Sequence, residues 1–245
     1  MARAGLPARV PSVCRTGERL RPPVRVAQRY HRERQRAARG FAQQSTEGAL
    51  ELRIDRLGVL LDQLRESRDL YFPRLEGMPA AEYLWEPFEG MHSLRRRGAA
   101  RTPDAFGPGE WVLDFDDGLD PFAPGPVATI AWRVAHVANG IAGRWEWSFG
   151  ARSTDPNEVV DFSPNPVVAL AGLSELVDRW IASCETLTDE QLDVPGFSAY
   201  PHGMDPHIPF IGVLWWTNRE FINHMAEVAL LRDLYPRMTT PHGAR

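Results

Sequence analysis

Apolar residues in the body of the chain recur at alternating spacings of four and three. Leu50, Ile54, Leu57, Leu61 and Leu64 make one such seam, which predicts a first helix ending near YFPRLEG. Leu170, Leu173, Val177, Trp180, Cys184 and Leu187 make another. Two further stretches read as helices, one from about Pro126 to Phe149 and one from about Pro209 to Tyr235, where Pro236 is expected to stop it. TDEQ, beginning at Thr188, has the order of a capping box and predicts a short extra turn. The connections are long. MPAAEYLWEPFEGMHSLRRRG is rich in turn residues, and AARTPDAFGPGEWVLDFDDGLDPFAPGP is dense in Pro, Gly and Asp, a candidate lid or binding loop with room for a short hairpin. Four long helices without a convincing set of strands predict an all-α four-helix bundle with long connecting loops.

Composition narrows the class. A chain of 245 residues with 43% hydrophobic and 24% charged positions can build one sizeable core. No apolar run approaches the roughly 18 residues that a membrane helix needs. The two cysteines, Cys14 and Cys184, are far apart and form no CxxC; they imply neither a disulfide framework nor a thiolate metal site, as expected of a cytoplasmic protein. All 28 basic residues are arginine, which suggests a GC-rich coding sequence. Residues 1–40 hold eleven Arg and two Glu, so the remainder, with 17 Arg against 30 acids, is strongly acidic. Residues 1–45 therefore read as a disordered Arg-rich extension, residues 46–237 as the bundle and residues 238–245 as a C-terminal tail. The acidic body has no basic patch with interleaved aromatics, which argues against nucleic acid as a partner.

The candidate chemistry lies in NREFINHMAEVALLRDLY. On a helical wheel Glu220 falls within about 40° of His224, and Val213, Thr217, Phe221, Val228, Leu231 and Tyr235 fall within about 60°. That reading puts a carboxylate and an imidazole in the middle of the apolar stripe, where an unpaired charge is costly and needs a partner. ATIAWRVAHVANGIAGRWEWSFG offers one. His136 shares a face with Thr129, Trp132, Arg133, Asn139, Gly140, Gly143 and Trp147, and the two glycines leave room beside the imidazole, as in a pocket wall between bundle helices. Two imidazole nitrogens and one carboxylate oxygen suit a divalent ion with open coordination positions. The structural alternative is a Glu220–His224 ion pair, or a hydrogen bond from Arg133 to Glu220. Trp132, Arg133 and Thr217 are candidate pocket residues. Trp215 and Trp216 read as packing, one of them at the pocket mouth, and His202 and His207 as loop or cap residues. Glu227 is within reach of His224, and also of Arg232 for a surface pair.

TIAWRVAHVANG followed by NREFINHMAEVALLRDLY, with AEYLWEPFEG after the first helix, resembles the DinB-like (YfiT-like) superfamily, particularly its actinobacterial branch, over about residues 50 to 236. The resemblance implies a four-helix bundle with a three-ligand divalent metal site, the ligands falling on His136, Glu220 and His224. Many relatives carry histidine at the position of Glu220. A carboxylate there lowers the charge of the site by one and favours harder ions, leaving zinc, nickel, manganese and iron as candidates. It also implies a homodimer and, for activity, a thiol-dependent S-transferase or isomerase that uses a low-molecular-weight thiol of the mycothiol type on a small electrophile. A bundle that binds metal or a small molecule without turnover, as a sensor or stress protein, is the other class left open.

Overall fold

A computed structural model describes residues 55–116 and 125–240. The Arg-rich stretch 1–45, Leu50 and Ile54 of the first seam, and residues 241–245 of the tail lie outside the described residues.

Four long helices form the body. The first, α1, spans Arg56–Leu75; the Asp55 side chain caps it by accepting from the Gly58 N–H at 2.8 Å. Leu61 and Leu64 of the seam are buried. A single turn, α2, follows at Ala80–Tyr83. Within the long connection, β1 (Leu94–Arg96) and β2 (Trp111–Leu113) pair antiparallel, with Leu94 opposite Leu113 and Arg96 opposite Trp111. The second long helix, α3, spans Ile130–Ser148. It begins later than the Pro126 expected from sequence because Thr129 is fixed as its cap. Thr129 Oγ1 accepts from the Trp132 N–H at 3.2 Å and shares a 2.9 Å hydrogen bond with Ser93 Oγ, while its own N–H donates to His92 O.

The third long helix, α4, spans Pro166–Cys184, with Asn165 as N-cap and Pro166 in the first turn, where a missing N–H costs nothing. Leu187, the last residue of its seam, lies in the turn beyond. Thr188 and Gln191 form the expected capping box of the short α5, Asp189–Leu192.

The last helix, α6, spans Phe210–Thr239 and does not stop at Pro236. Side chains supplement the backbone bonding around the proline: Arg237 donates to Asp233 O, and Thr239 Oγ1 donates to Tyr235 O at 2.7 Å. The helix thus runs one further turn, closed by the Thr240 N–H on Pro236 O.

α3 packs on α4 and α6, and α6 also packs on α1. Contacts set the directions. Asn218 Nδ2 donates to Leu60 O and Arg232 Nε to Glu82 just beyond α1, so α1 and α6 run parallel; Arg133 meets Glu227 and His136 faces Glu220, so α3 and α6 run antiparallel. An aromatic cluster closes one end of the core, where Phe210 lies 4.7 Å from Phe197 and 5.9 Å from both Trp180 and Phe149, ring centre to ring centre. Each fully buried side chain of this size contributes about 1.5–3 kcal/mol.

The buried face of α6 is centred on Phe221, Met225 and Val228, all fully buried. Glu220 and His224 sit on its α3-facing edge with 20% and 16% of their side chains exposed, not in the middle of the stripe as the wheel suggests. The reason is that α6 packs on two helices at once, which turns its most buried line toward the gap between them and leaves the pair facing α3. No described helix is long and apolar enough to cross a membrane.

Candidate metal centre

His136 comes from the second turn of α3, and Glu220 and His224 from successive turns of α6. Antiparallel packing brings one ligand atom from each to within 4.8 Å of the other two. Glu220 Oε2 lies 3.4 Å from His224 Nε2 and 3.7 Å from His136 Nε2. Those separations exceed an ordinary hydrogen bond. Donors bonded to one divalent ion at about 2.0–2.1 Å stand roughly 3.3 Å apart, close to the shorter of these two separations. Two imidazole nitrogens and one carboxylate oxygen are thus gathered within 4.8 Å of one another, and the donor set fits a divalent ion. A void of ≈ 10 Å³ beside them, bordered by Gly140, Trp216 and Thr217, has room for about one water.

Neighbours orient both imidazoles. His224 Nδ1 lies 2.8 Å from Glu227 Oε2. Because the carboxylate can only accept, the proton sits on Nδ1 and the Nε2 lone pair is left for an ion. Arg133 Nη1 bonds the same Glu227 oxygen and lies 3.2 Å from His224 Nδ1. With its proton on Nδ1, that nitrogen has no lone pair to accept from the guanidinium, so the partner of Arg133 is Glu227. His136 stacks on Trp132 at 4.6 Å with the ring planes 9° apart, and Trp132 is held in turn by donating Nε1–H to Asp114 O at 2.6 Å. Asp114 is itself buried after the hairpin, where its carboxylate accepts from Arg95 Nε at 2.6 Å and from the Ser93 and Arg101 N–H groups. The long connection thus braces the ring of His136.

The electrostatics suit ligation. Burial lowers the His136 pKa, an effect that the nearby Glu220 only partly opposes, so the imidazole stays neutral. Burial alone would raise the Glu220 carboxyl, but His136, His224 and Arg219 outweigh it and hold the group well below the usual carboxylate range. Arg219 Nη2 bonds Glu220 Oε1 at 2.9 Å, leaving Oε2 toward the histidines.

A cavity of ≈ 560 Å³ opens from His136. Its walls include Phe106 and Phe115 from the long connection, Asn139 and Arg144 from α3, Tyr200, and Trp216 from α6. A groove of similar size between α1 and α4, around Phe72 and Leu170, contains none of the three ligands.

Other residues singled out in the sequence fall as follows. Arg133 pairs with Glu227, not with Glu220, and is almost fully covered, so it is no open anion contact. Thr217 is buried at the void, with its hydroxyl donating to Val213 O. Trp132 supports His136 from behind. Trp215 is 55% exposed and Trp216 lines the cavity. His202 borders the cavity, and His207 lies on a 3₁₀ turn, Asp205–His207, away from its wall. Arg232 pairs with Glu82 instead of Glu227. Sequence reasoning missed Arg144 and Tyr200. Arg144 lies about 80° from His136 on the wheel, beside Arg133 at the margin of the His136 face, and that was its one visible signal.

No curated protein and no solved structure matches the chain significantly. The family model described as DinB superfamily matches residues 63–228. With that match spanning most of the described bundle and all three candidate ligands, the chain belongs to the DinB superfamily.

Proposed function

We propose that the protein is a divalent-metal-dependent enzyme in which His136, Glu220 and His224 hold the ion and the adjacent cavity holds a small electrophile, with a low-molecular-weight thiol of the mycothiol type as co-substrate. The observation that carries this reading is the gathering of two imidazole nitrogens and one carboxylate oxygen within 4.8 Å of one another, with Glu220 Oε2 at 3.4 and 3.7 Å from the two nitrogens. Membership of a superfamily that is typically metal-binding supports it.

A divalent ion in this position would lower the pKa of a bound thiol or water and so supply the nucleophile at neutral pH. The chain's own residues do the rest. Glu227 keeps the His224 proton on Nδ1, and Trp132 holds the His136 ring in line. Glu220 brings a negative charge, which favours harder ions than three imidazoles would. Phe106, Phe115 and Trp216 give the cavity an apolar wall for the electrophile.

The test is metal content after native purification, followed by consumption of mycothiol in the presence of electrophiles such as epoxides and maleyl compounds. Stoichiometric metal with thiol turnover is the expected result. Metal without turnover would favour a binding bundle, and a protein that takes up no divalent metal would overturn the reading.

A further inference from the structure

Arg144 lies two turns beyond His136 on α3 and lines the same cavity. It is 6% exposed, yet its five N–H donors meet few acceptors. Nη1 donates to Gly140 O and Nη2 to Asp205 Oδ1, each at 3.3 Å, both long for charged bonds. Nε lies 3.1 Å from Asp205 Oδ2, but its N–H is misdirected and makes no hydrogen bond.

The plane of the guanidinium is nonetheless fixed. Trp216 covers it at 3.7 Å and Tyr200 at 4.5 Å, measured to the ring centres. Asp205, 5% exposed and also bonded by Ser198 Oγ at 3.3 Å, occupies the Nε and Nη2 side. The Nη1 side is directed along α3 toward Gly140, which has no side chain to block it and borders both the cavity and the void at His136 and Glu220. A buried cation with a fixed plane, spare donors and an open edge beside a cavity is a site for an acceptor that the protein itself does not supply.

We propose that Arg144 is the anion-recognition residue of this cavity, and that the ligand held beside the triad carries a carboxylate on an apolar body. This rests on the reading of the cavity as the substrate site. The carboxylate matches the guanidinium edge, and Phe106 and Phe115 give the apolar body its walls. Asp205 is the internal counter-ion that allows Arg144 to remain buried and charged when the cavity is empty of ligand.

The test uses benzoate as probe and benzamide as its neutral counterpart, with binding to the full chain followed by calorimetry in chelator and again with zinc. The wild type is expected to bind benzoate at least tenfold more tightly than benzamide in both conditions. R144Q/D205N, which removes both charges together and keeps a hydrogen-bonding pair, should bind the two probes equally. Arg144→Lys, which keeps the charge and loses the fork, should retain an intermediate preference and covers the case in which the double variant does not fold. Equal binding of both probes by the wild type, or an undiminished preference in these variants, would overturn the proposal. So would a preference that exists only with zinc, because the carboxylate would then be on the metal. A protein that takes up no zinc but prefers benzoate in chelator would sink the metal reading while leaving the anion site standing.

Discussion

Glu227 accepts the Nδ1–H of His224 at 2.8 Å and carries Arg133 on the same oxygen. One carboxylate thus fixes which nitrogen of His224 faces the candidate metal position and neutralises a guanidinium that would otherwise crowd it.

Glu227→Gln should therefore weaken metal binding without abolishing it. The amide can still accept through its oxygen but loses the charge that holds Arg133, and loss of such an outer partner lowers metal affinity by roughly 10–100-fold. Competition against a chromophoric chelator measures the change. Unaltered affinity would show that Glu227 serves only the ion pair with Arg133.

Removal of the ligands separates an ion site from an ion pair. Glu220→Ala should lose most of the metal, whereas Glu220→His should retain it as a three-imidazole site. Chelator should lower the melting temperature of the wild type, since an ion that binds only the folded state adds about 2.7 kcal/mol at a hundredfold excess over Kd. Equal metal content in Glu220→Ala and Glu220→His, measured by elemental analysis, would contradict the assignment.

The helical seams were legible because each is local: Leu57, Leu61 and Leu64 need only their own helix to declare a buried side. So was the Thr188 capping box, which lies within four residues. The proximity of His136 to Glu220 and His224 could be read because the latter two share a helix and needed just one partner elsewhere. The choice of Glu227 over Glu220 by Arg133 could not, since it depends on the offset between two antiparallel helices. Nor could the Arg144–Asp205 pair, which joins a helix to a turn 61 residues away. The role of the long connection was half visible. Its Pro and Gly content marked a loop, but nothing local shows that Asp114 O receives the Trp132 indole N–H and so steadies His136.

The glycines of α3 should respond differently to substitution. A Cβ on Gly143 would lie 2.7 Å from Tyr200 Cε2, so Gly143→Ala must displace a wall of the cavity. Overpacking of this kind costs about 1–3 kcal/mol. A Cβ on Gly140 meets nothing nearer than Arg144 Nη1 at 3.8 Å, so Gly140→Ala should be neutral or stabilise by up to about 1 kcal/mol through helix propensity. Urea unfolding of both variants checks the contrast, and an equally small effect of the two would show that the Tyr200 ring is free to move.

His136 has a folded-state pKa below its ordinary 6.5, chiefly through burial, so the unfolded chain takes up that proton first and stability falls as pH drops below about 6.5. Glu220 is also held below its ordinary 4.5; its contribution is complete above that value and is lost as pH falls toward the depressed folded-state pKa. Both shifts act in one direction, so the metal-free protein should melt at progressively lower temperature from pH 7 to pH 4. His136→Gln should flatten the part of that decline between about pH 7 and pH 5, and Glu220→Gln the part below it. With zinc present the decline should steepen, because an ion requires both imidazoles and the carboxylate free of protons. Melting temperatures at half-unit pH steps, in chelator and in zinc, make the comparison. If His136→Gln leaves the metal-free profile unchanged above pH 5, the imidazole is not held neutral by the fold.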